Sequence, residues 1–231
     1  MTNHQTIVLW DIDNTLLYTG GADSLAMARA FRDLYGVEDA FRRVEFSGRT
    51  DAAILADALA AHAVADGDLP SEVARFIDAY IPHLREALGE VTGGRLMPGV
   101  PELLEALAVR EDIVQALGTG NFRRGGELKL QHYGIDGYFP GTPGGFGEDS
   151  PSRDAVIALA IERLAPEGAN CRVIVIGDTP HDVTAAKANG ASALAVATGR
   201  HTIEELRATA PDAVLEDLAD IDRVLAAVCQ P

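Results

Sequence analysis

Two aspartates one residue apart, Asp11 and Asp13, follow a short apolar run at residues 7–10. The run predicts a buried strand, and residues at i and i+2 of an extended chain point the same way, so both carboxylates would leave the strand end together. Two like charges this close are costly unless a cation, a proton or a substrate compensates them. Carboxylate oxygens suit Mg²⁺, so the pair indicates a metal site, although an acidic pair in a loop or at a helix N-cap would have the same sequence.

A second acidic segment follows a β-branched run at residues 172–176. Here Asp178 lies at the predicted carboxyl end of a strand, and Asp182 lies at or just inside the next helix. Ligands of open parallel sheets gather outside the carboxyl ends of the strands. We therefore expect Asp178 to join Asp11 and Asp13 around one cation. Asp182 is either a further ligand or an acid that matches the dipole at the start of its helix.

Two further segments favour an anionic substrate at the same edge of the sheet. Thr119, Gly120 and Asn121 follow a predicted strand at 113–117, and a hydroxyl with backbone N–H groups before a helix can cradle an anion. The same tripeptide is also typical of a simple turn. Arg153 opens a predicted helix at 153–164, where its charge opposes the helix dipole, a local cost that a nearby anion would offset.

The elements that must position these residues alternate along the chain. Predicted strands at 7–10, 113–117, 172–176, 193–197 and, more weakly, 213–215 are separated by predicted helices at 100–108, 124–133, 153–164, 183–189, 203–208 and 218–228. Alternation of this kind is typical of parallel βαβ units with right-handed crossovers. We predict an α/β fold whose core is a three-layer, Rossmann-like parallel sheet.

The interval between Asp13 and Ile113 is too long for a single crossover and has helical patterns at 22–34, 51–62 and 71–88 without a convincing strand. We predict an all-helical cap over residues 20–94, inserted into a catalytic core of residues 1–19 and 95–231. Glycine pairs at 20–21 and 93–94 are candidate flexible connectors. A cap placed after the first strand would lie over the site and could act as a lid.

Composition sets wider limits on function. The 231 residues are 47% hydrophobic and 23% charged, with a formal net charge of −16, which argues against a nucleic-acid backbone or an anionic membrane surface as partner. Cys171 and Cys229 lack the spacing of a zinc site or a disulfide framework. With neither a leader sequence nor a run of membrane-spanning length, we expect a cytoplasmic protein. Nothing in the sequence indicates its oligomeric state.

The four segments resemble, in order, the motifs of the haloacid dehalogenase-like hydrolase superfamily. Within it, the chain is similar to phosphatases with an α-helical cap after the first strand, including phosphoglycolate-phosphatase-like proteins. The third motif of that family usually supplies a lysine, whereas this sequence has Arg153, 25 positions before Asp178. Lys129 is a rival cation, but its helix lies out of sequence order for that role. Arginine keeps the charge but is bulkier and forked.

The resemblance implies a role for each matching residue. Asp11 would be the nucleophile that forms an aspartyl-phosphate, and Asp13 the acid that protonates the leaving group and then activates water. Mg²⁺ would be bound by Asp11, the backbone carbonyl of Asp13 and Asp178, with Asp182 a ligand or a support for the others. The substrate phosphate would contact Thr119, Gly120, Asn121 and Arg153. Arg49, just before a cap helix, either grips the substrate or is a surface residue in a turn.

We therefore predict a Mg²⁺-dependent phosphatase that hydrolyses a phosphomonoester of a small metabolite. A phosphosugar mutase on the same scaffold is the nearest alternative. A metal-independent dehalogenase would leave Asp13 and Asp178 without a cation. A binding or regulatory protein that has lost catalysis is disfavoured because the acids of both strand ends are retained. The sequence does not specify the metabolite.

Overall fold

The computed structural model describes residues 5–139, 141, 143–165 and 171–229. A single 3₁₀ turn, Asp136–Tyr138, follows the fifth helix. In chain order the strands and α-helices are β1 (Thr6–Trp10), β2 (Leu17–Tyr18), α1 (Ala22–Tyr35), α2 (Asp51–His62), α3 (Leu69–Glu90), β3 (Arg95–Leu96), α4 (Val100–Ala108), β4 (Ile113–Leu117), α5 (Arg123–His132), α6 (Arg153–Leu164), β5 (Arg172–Gly177), α7 (Pro180–Ala188), β6 (Ser192–Val196), α8 (Ile203–Ala208), β7 (Ala213–Leu215) and α9 (Ile221–Cys229).

The main sheet has five strands in the order β4-β1-β5-β6-β7, and every pairing is parallel. At the end of β1, Trp10 lies opposite Leu117 of β4 and Ile176 of β5. The residues that follow these three strands therefore emerge side by side at one edge of the sheet. Parallel strands need crossover connections, and here helices supply them. This arrangement confirms the predicted α/β fold.

Alternating side chains of the strands feed two apolar layers, one on each face of the sheet. In β1, Val8 and Trp10 join a cluster with α4 and α9, whereas Ile7 and Leu9 join a cluster with α6 and α7. All four side chains are fully buried. A strand covered on both faces explains the continuous apolar run at residues 7–10.

Helices α1, α2 and α3 pack around an apolar cluster of their own, which includes Phe31, Phe76 and Tyr80. Phe122, from the start of the segment that leads into α5, also belongs to this cluster and packs against Phe76 and Tyr80. We call residues 20–94 the helical insertion. Its boundaries as a domain stay a prediction, but its helices bury a core that is distinct from the two layers of the sheet.

A short ribbon corrects the expectation that no strand lies between Asp13 and Ile113. Strands β2 and β3 pair antiparallel, with Leu17 opposite Leu96 and Tyr18 opposite Arg95. Each strand has two residues, which is too short for the alternation that identifies strands in a sequence. The ribbon brings the entry to the helical insertion beside its exit.

Within the described ranges, no helix combines the length and the apolar character needed to cross a lipid bilayer.

Candidate active site

Asp11 directly follows β1, and its side chain is almost entirely buried at the sheet edge. Its Oδ1 accepts hydrogen bonds from Thr119 Oγ1 at 2.9 Å and from Arg153 Nη2 at 2.8 Å. Thr119 follows β4 and Arg153 opens α6, so residues 108 and 142 positions away meet one carboxylate. The three segments that the sequence singled out therefore converge at Asp11.

Arg153 also binds Asp182. Its Nε and Nη2 donate to Asp182 Oδ1 at 3.1 and 2.6 Å, and Nη2 donates in addition to the carbonyl oxygen of Gly118 at 3.0 Å. Burial alone would lower the pKa of the guanidinium, but Asp182 and Asp11 outweigh this effect and raise it above its ordinary value. Arg153 is therefore a fixed positive charge between two buried carboxylates.

Asp182 occupies the third position of α7 and forms a capping box with Thr179. Its Oδ2 accepts hydrogen bonds from the backbone N–H and the hydroxyl of Thr179, at 3.1 and 2.7 Å. This capping box matches the second of the two alternatives for Asp182, an acid at the start of its helix. Arg153 binds the other oxygen, Oδ1, so Asp182 holds both Arg153 and the start of α7, and its role as a metal ligand stays a prediction.

Asp178 follows β5 and is 2% exposed. Carboxylate oxygens of Asp11, Asp178 and Asp182 lie within 4.8 Å of one another. Asp178 forms no salt bridge within the described part of the chain, and burial, with Asp182 and Asp11 next in effect, raises its pKa well above the ordinary value. A buried carboxylate without a cation fits a hard divalent metal, since such an ion prefers oxygen ligands and would compensate the charge.

Opposing effects act on the pKa of the Asp11 carboxyl group. Burial raises the pKa of Asp11 to about 6, while the Arg153 guanidinium acts in the opposite direction. The carboxylates of Asp182 and Asp13 add to the effect of burial. A second positive charge beside Asp11 would therefore favour its ionised form.

The segment after β4 forms a compact loop against the helical insertion. The Thr119 N–H donates to Gly145 O, and the Asn121 N–H lies 3.3 Å from Thr119 Oγ1. The Gly120 N–H has no acceptor within the described residues, so it alone of these three amides is free for an anion. A Cβ at Gly120 would lie 2.2 Å from the backbone oxygen of Arg49, so only glycine fits this close approach.

Asp13 faces a different set of partners. Its Oδ2 accepts hydrogen bonds from Asn121 Nδ2 at 2.9 Å and from Lys129 Nζ at 2.8 Å. Lys129 is fully buried, whereas about a third of the Asp13 side chain is exposed. Lys129 therefore contacts Asp13, whereas Arg153 contacts Asp11.

A cleft of about 420 Å³ joins these groups to the helical insertion. Arg49 lines the cleft, but its Nη1 pairs with Asp57 Oδ2 of α2 at 2.6 Å. Thr50, next in sequence, is the N-cap of α2 and accepts a hydrogen bond from the Ala53 N–H. Arg49 thus lies at the mouth of the site with its charge already partnered, so its assignment as a substrate-binding residue stays a prediction.

Comparisons with known proteins agree with this geometry. The family model described as haloacid dehalogenase-like hydrolase matches residues 8–187. This range is more than half of the chain and contains Asp11, Thr119, Arg153 and Asp178. The chain belongs to the haloacid dehalogenase-like hydrolase family, as its motifs predict, and it is an enzyme of the hydrolase class.

Relatives and solved structures extend the similarity to nearly the whole chain. The chain is 26% identical over 216 residues to "Probable phosphatase IndB" of Dickeya dadantii (strain 3937), covering 93% of this chain and 91% of the relative. It is 34% identical over 151 residues to a 5'-nucleotidase of Pseudomonas aeruginosa PAO1, covering 63% of this chain and 66% of that relative. A predicted phosphoglycolate phosphatase from Haemophilus somnus 129pt has the same fold, with a TM-score of 0.62 and 20% identity over 97% of this chain and 99% of that chain.

Sequence reasoning missed the partners of Lys129. Asp23 of α1 and Tyr80 of α3 belong to the helical insertion, and neither lies in a motif. The available signal was weak: in α5 the buried residues Gly125, Gly126, Lys129 and Leu130 share one face, so a lysine lies on the buried side of a helix. A buried lysine requires an acidic partner, but the sequence does not show which one.

Proposed function

We propose that this chain is a Mg²⁺-dependent phosphatase that hydrolyses a phosphomonoester of a small metabolite through an aspartyl-phosphate on Asp11. In class it is a phosphoric monoester hydrolase. The observation that supports the proposal most is the convergence of Arg153, Thr119 and the buried acids Asp178 and Asp182 around the Asp11 carboxylate. The relatives named as a phosphatase and a 5'-nucleotidase support the same class of reaction.

The donor set determines which residues would hold the metal. Asp11 and Asp178, with the backbone carbonyl of Asp13, offer hard oxygen atoms at the ends of two adjacent strands. Asp182 supports this set from α7 by fixing Arg153. The ion would neutralise charge on the phosphate and orient it toward Asp11.

The protein residues account for the rest of the reaction. Asp11 attacks phosphorus, and the bond to the leaving oxygen breaks as Asp13 donates a proton to that oxygen. Asp13 then takes a proton from a water molecule, which attacks the phosphorus of the aspartyl-phosphate and releases inorganic phosphate and the Asp11 carboxylate. Arg153, the Thr119 hydroxyl and the Gly120 N–H stabilise charge on the transferring oxygens.

The test is hydrolysis of p-nitrophenyl phosphate by the full chain, with and without Mg²⁺. We expect Mg²⁺-dependent release of phosphate, and in Asp11→Asn a loss of about a thousandfold or more, because the amide cannot act as the nucleophile. Denaturing the wild type during turnover of a ³²P-labelled ester should leave acid-stable label that hydroxylamine removes. Activity of Asp11→Asn equal to the wild type would refute the nucleophile assignment.

A phosphosugar mutase is distinguished by the same assay. A mutase returns the phosphoryl group to a sugar, so it needs a sugar phosphate to turn over. Steady release of inorganic phosphate from an aryl ester without any sugar supports the phosphatase. The protein is expected to act in the cytoplasm on a freely diffusing metabolite, with no nucleic acid or membrane as partner; its acidic charge supports this.

A further inference from the structure

We propose that Lys129 is a positioning residue for Asp13, and that Asp23 of the helical insertion completes this function. The inference rests on the proposed function, because it concerns how the acid–base residue of that reaction is oriented. It assigns a role to a buried lysine outside the four motifs.

The Lys129 ammonium donates two hydrogen bonds and forms an ion pair with a third oxygen atom. Its Nζ lies 2.8 Å from Asp13 Oδ2, 2.5 Å from Asn121 Oδ1 and 2.9 Å from Asp23 Oδ1. The side chain is fully buried, so water does not compete for these contacts. An ammonium has three donors and no acceptor capacity, and two of the Lys129 donors are used in hydrogen bonds to Asp13 and Asn121.

These contacts orient the Asp13 carboxylate. Lys129 Nζ and Asn121 Nδ2 both donate to Oδ2 of Asp13, and Asn121 Oδ1 in turn accepts from Lys129. Oδ1 of Asp13 accepts no hydrogen bond within the described residues. A general acid must hold its proton within hydrogen-bonding reach of the leaving oxygen. Because Oδ2 accepts both hydrogen bonds, Oδ1 is the oxygen left to carry the proton for the leaving group.

The packing of α5 explains why a lysine can reach this position. A Cβ at Gly125 would lie 2.9 Å from the Tyr80 ring, and one at Gly126 would lie 2.8 Å from Ile12 Cδ1. Two glycines therefore let α5 approach both the helical insertion and the loop between Asp11 and Asp13. Lys129, one turn further along the same buried face, is brought between Asp13 and Asp23.

Asp23 connects Lys129 of the core to the helical insertion. It lies in the first turn of α1, and the Tyr80 hydroxyl of α3 donates a hydrogen bond to the same Oδ1 that contacts Lys129. Helices α1 and α3 of the insertion therefore fix the Asp23 carboxylate beside Lys129. Burial by itself lowers the pKa of Lys129, but Asp13, Asp23 and Asp51 together raise it above its ordinary value, so the lysine stays charged.

The test compares esters whose leaving groups need the general acid to different degrees. Phenol is a poorer leaving group than p-nitrophenol, so cleavage of phenyl phosphate depends more on proton donation by Asp13. We measure kcat/KM for both esters at saturating Mg²⁺, because this constant reports the step in which the leaving oxygen departs. In Lys129→Met the ratio of the p-nitrophenyl to the phenyl value should rise about tenfold over the wild type, since general acids contribute a hundredfold or more.

A matched control is available on the same helix. Arg124 of α5 pairs with Asp78 of α3 at 2.5 Å, and both side chains are largely exposed. Arg124→Met therefore removes an ion pair between the core and the helical insertion without touching Asp13. Its ratio should stay within about twofold of the wild type, as expected for an exposed pair. An equal fall for both esters in Lys129→Met, with an unchanged ratio, would show a purely structural lysine and overturn the inference.

A milder variant decides the question if Lys129→Met fails to fold. Asp23→Asn keeps the size of the side chain and Lys129 itself, and should raise the ratio about threefold; Asp78→Asn, its control, should not. An unchanged ratio in a folded Asp23→Asn protein then overturns the inference. Wild-type protein that releases phosphate from neither ester would refute the proposed function itself, whereas an active wild type with unchanged ratios in the variants refutes only the role of Lys129.

Discussion

Asp11 and Asp13 are separated by one residue, yet each has its own cation from a different helix of the fold. Among the residues that the structure describes, the Arg153 guanidinium beside Asp11 is held only by groups of the core, namely Asp11, Asp182 and Gly118 O. The Lys129 ammonium beside Asp13 is held partly by Asp23 of the helical insertion. One loop thus carries two carboxylates in different surroundings. The cation beside Asp11 is held by the core, whereas the cation beside Asp13 is held partly by the helical insertion.

The difference follows from what each proposed step requires. A nucleophile needs a permanent charge environment, and a guanidinium between two buried carboxylates supplies one. A general acid must hold its proton within reach of the leaving oxygen, so its carboxyl group needs a fixed orientation. Lys129 contacts both Asp13 and Asp23, so it links the orientation of Asp13 to the packing of the helical insertion on the core.

Among the variants that test this difference between the two carboxylates, the replacement of Arg153 should have the largest effect. Arg153→Met is expected to lower kcat/KM about a hundredfold or more, because a group that stabilises the transferring oxygens is lost. The factor should be the same for phenyl and p-nitrophenyl phosphate, unlike that of Lys129→Met. The unpaired carboxylates should also lower the free energy of unfolding by about 3–5 kcal/mol, measured by urea denaturation without Mg²⁺.

Arg163→Met is the control for this variant. Arg163 lies at the other end of α6 and pairs with Asp149 at 2.6 Å near the surface. Its removal should change kcat/KM less than about threefold. If Arg153→Met alters the two esters to different extents, Arg153 acts on the leaving group and the separation of the two carboxylates is wrong.

Replacing Asp178 should separate metal binding from the rest of the Asp11 site. In Asp178→Asn the Mg²⁺ concentration for half-maximal activity should rise about tenfold or more, as is typical when a metal site loses a supporting group. The rise in melting temperature that Mg²⁺ gives the wild type should shrink in parallel. In metal-free buffer the variant should be at least as stable as the wild type, because a neutral amide replaces a buried carboxylate.

The exposed acid Asp154, next to Arg153, supplies the control. Asp154→Asn should leave the Mg²⁺ requirement unchanged. An Asp178→Asn protein with the wild-type Mg²⁺ requirement would place the metal elsewhere.

A methyl group at Gly120 should have the smallest effect of these changes. It would disturb the contact between the core and the helical insertion. Because its Cβ would lie 2.2 Å from Arg49 O, Gly120→Ala must displace the loop before α2. We expect a loss of about 1–3 kcal/mol in the free energy of unfolding, as for other overpacked sites. Gly137→Ala, whose Cβ would meet no atom within 4 Å, should be close to neutral in the same urea titration. Equal stability of the two variants would show that this contact is not tight.

The part of the site that lies on strand ends could be predicted from the sequence. Runs such as residues 7–10 and 172–176 identify buried strands, and parallel strands bring Asp11, Thr119 and Asp178 to one edge. The three helices of the insertion were also predicted, because their apolar spacing is regular over many residues.

The contacts between helices could not be predicted in the same way. Lys129, Asp23 and Tyr80 meet because α1, α3 and α5 pack at a particular rotation and distance, which no local pattern specifies. The pairing of Arg49 with Asp57 is similar: the sequence shows an arginine before a helix, but it does not show that this arginine binds an acid further along that helix. The β2–β3 ribbon was missed because two residues per strand leave no periodic signal.

That ribbon has a mechanical consequence. Since Leu17 and Tyr18 are hydrogen-bonded to Leu96 and Arg95, both chain segments that join the insertion to the core run through one double-stranded attachment. A single attachment favours pivoting of the insertion as one body over sliding along the core. Pivoting would lift Asp23 from Lys129 while every strand pair of the five-stranded sheet stays intact.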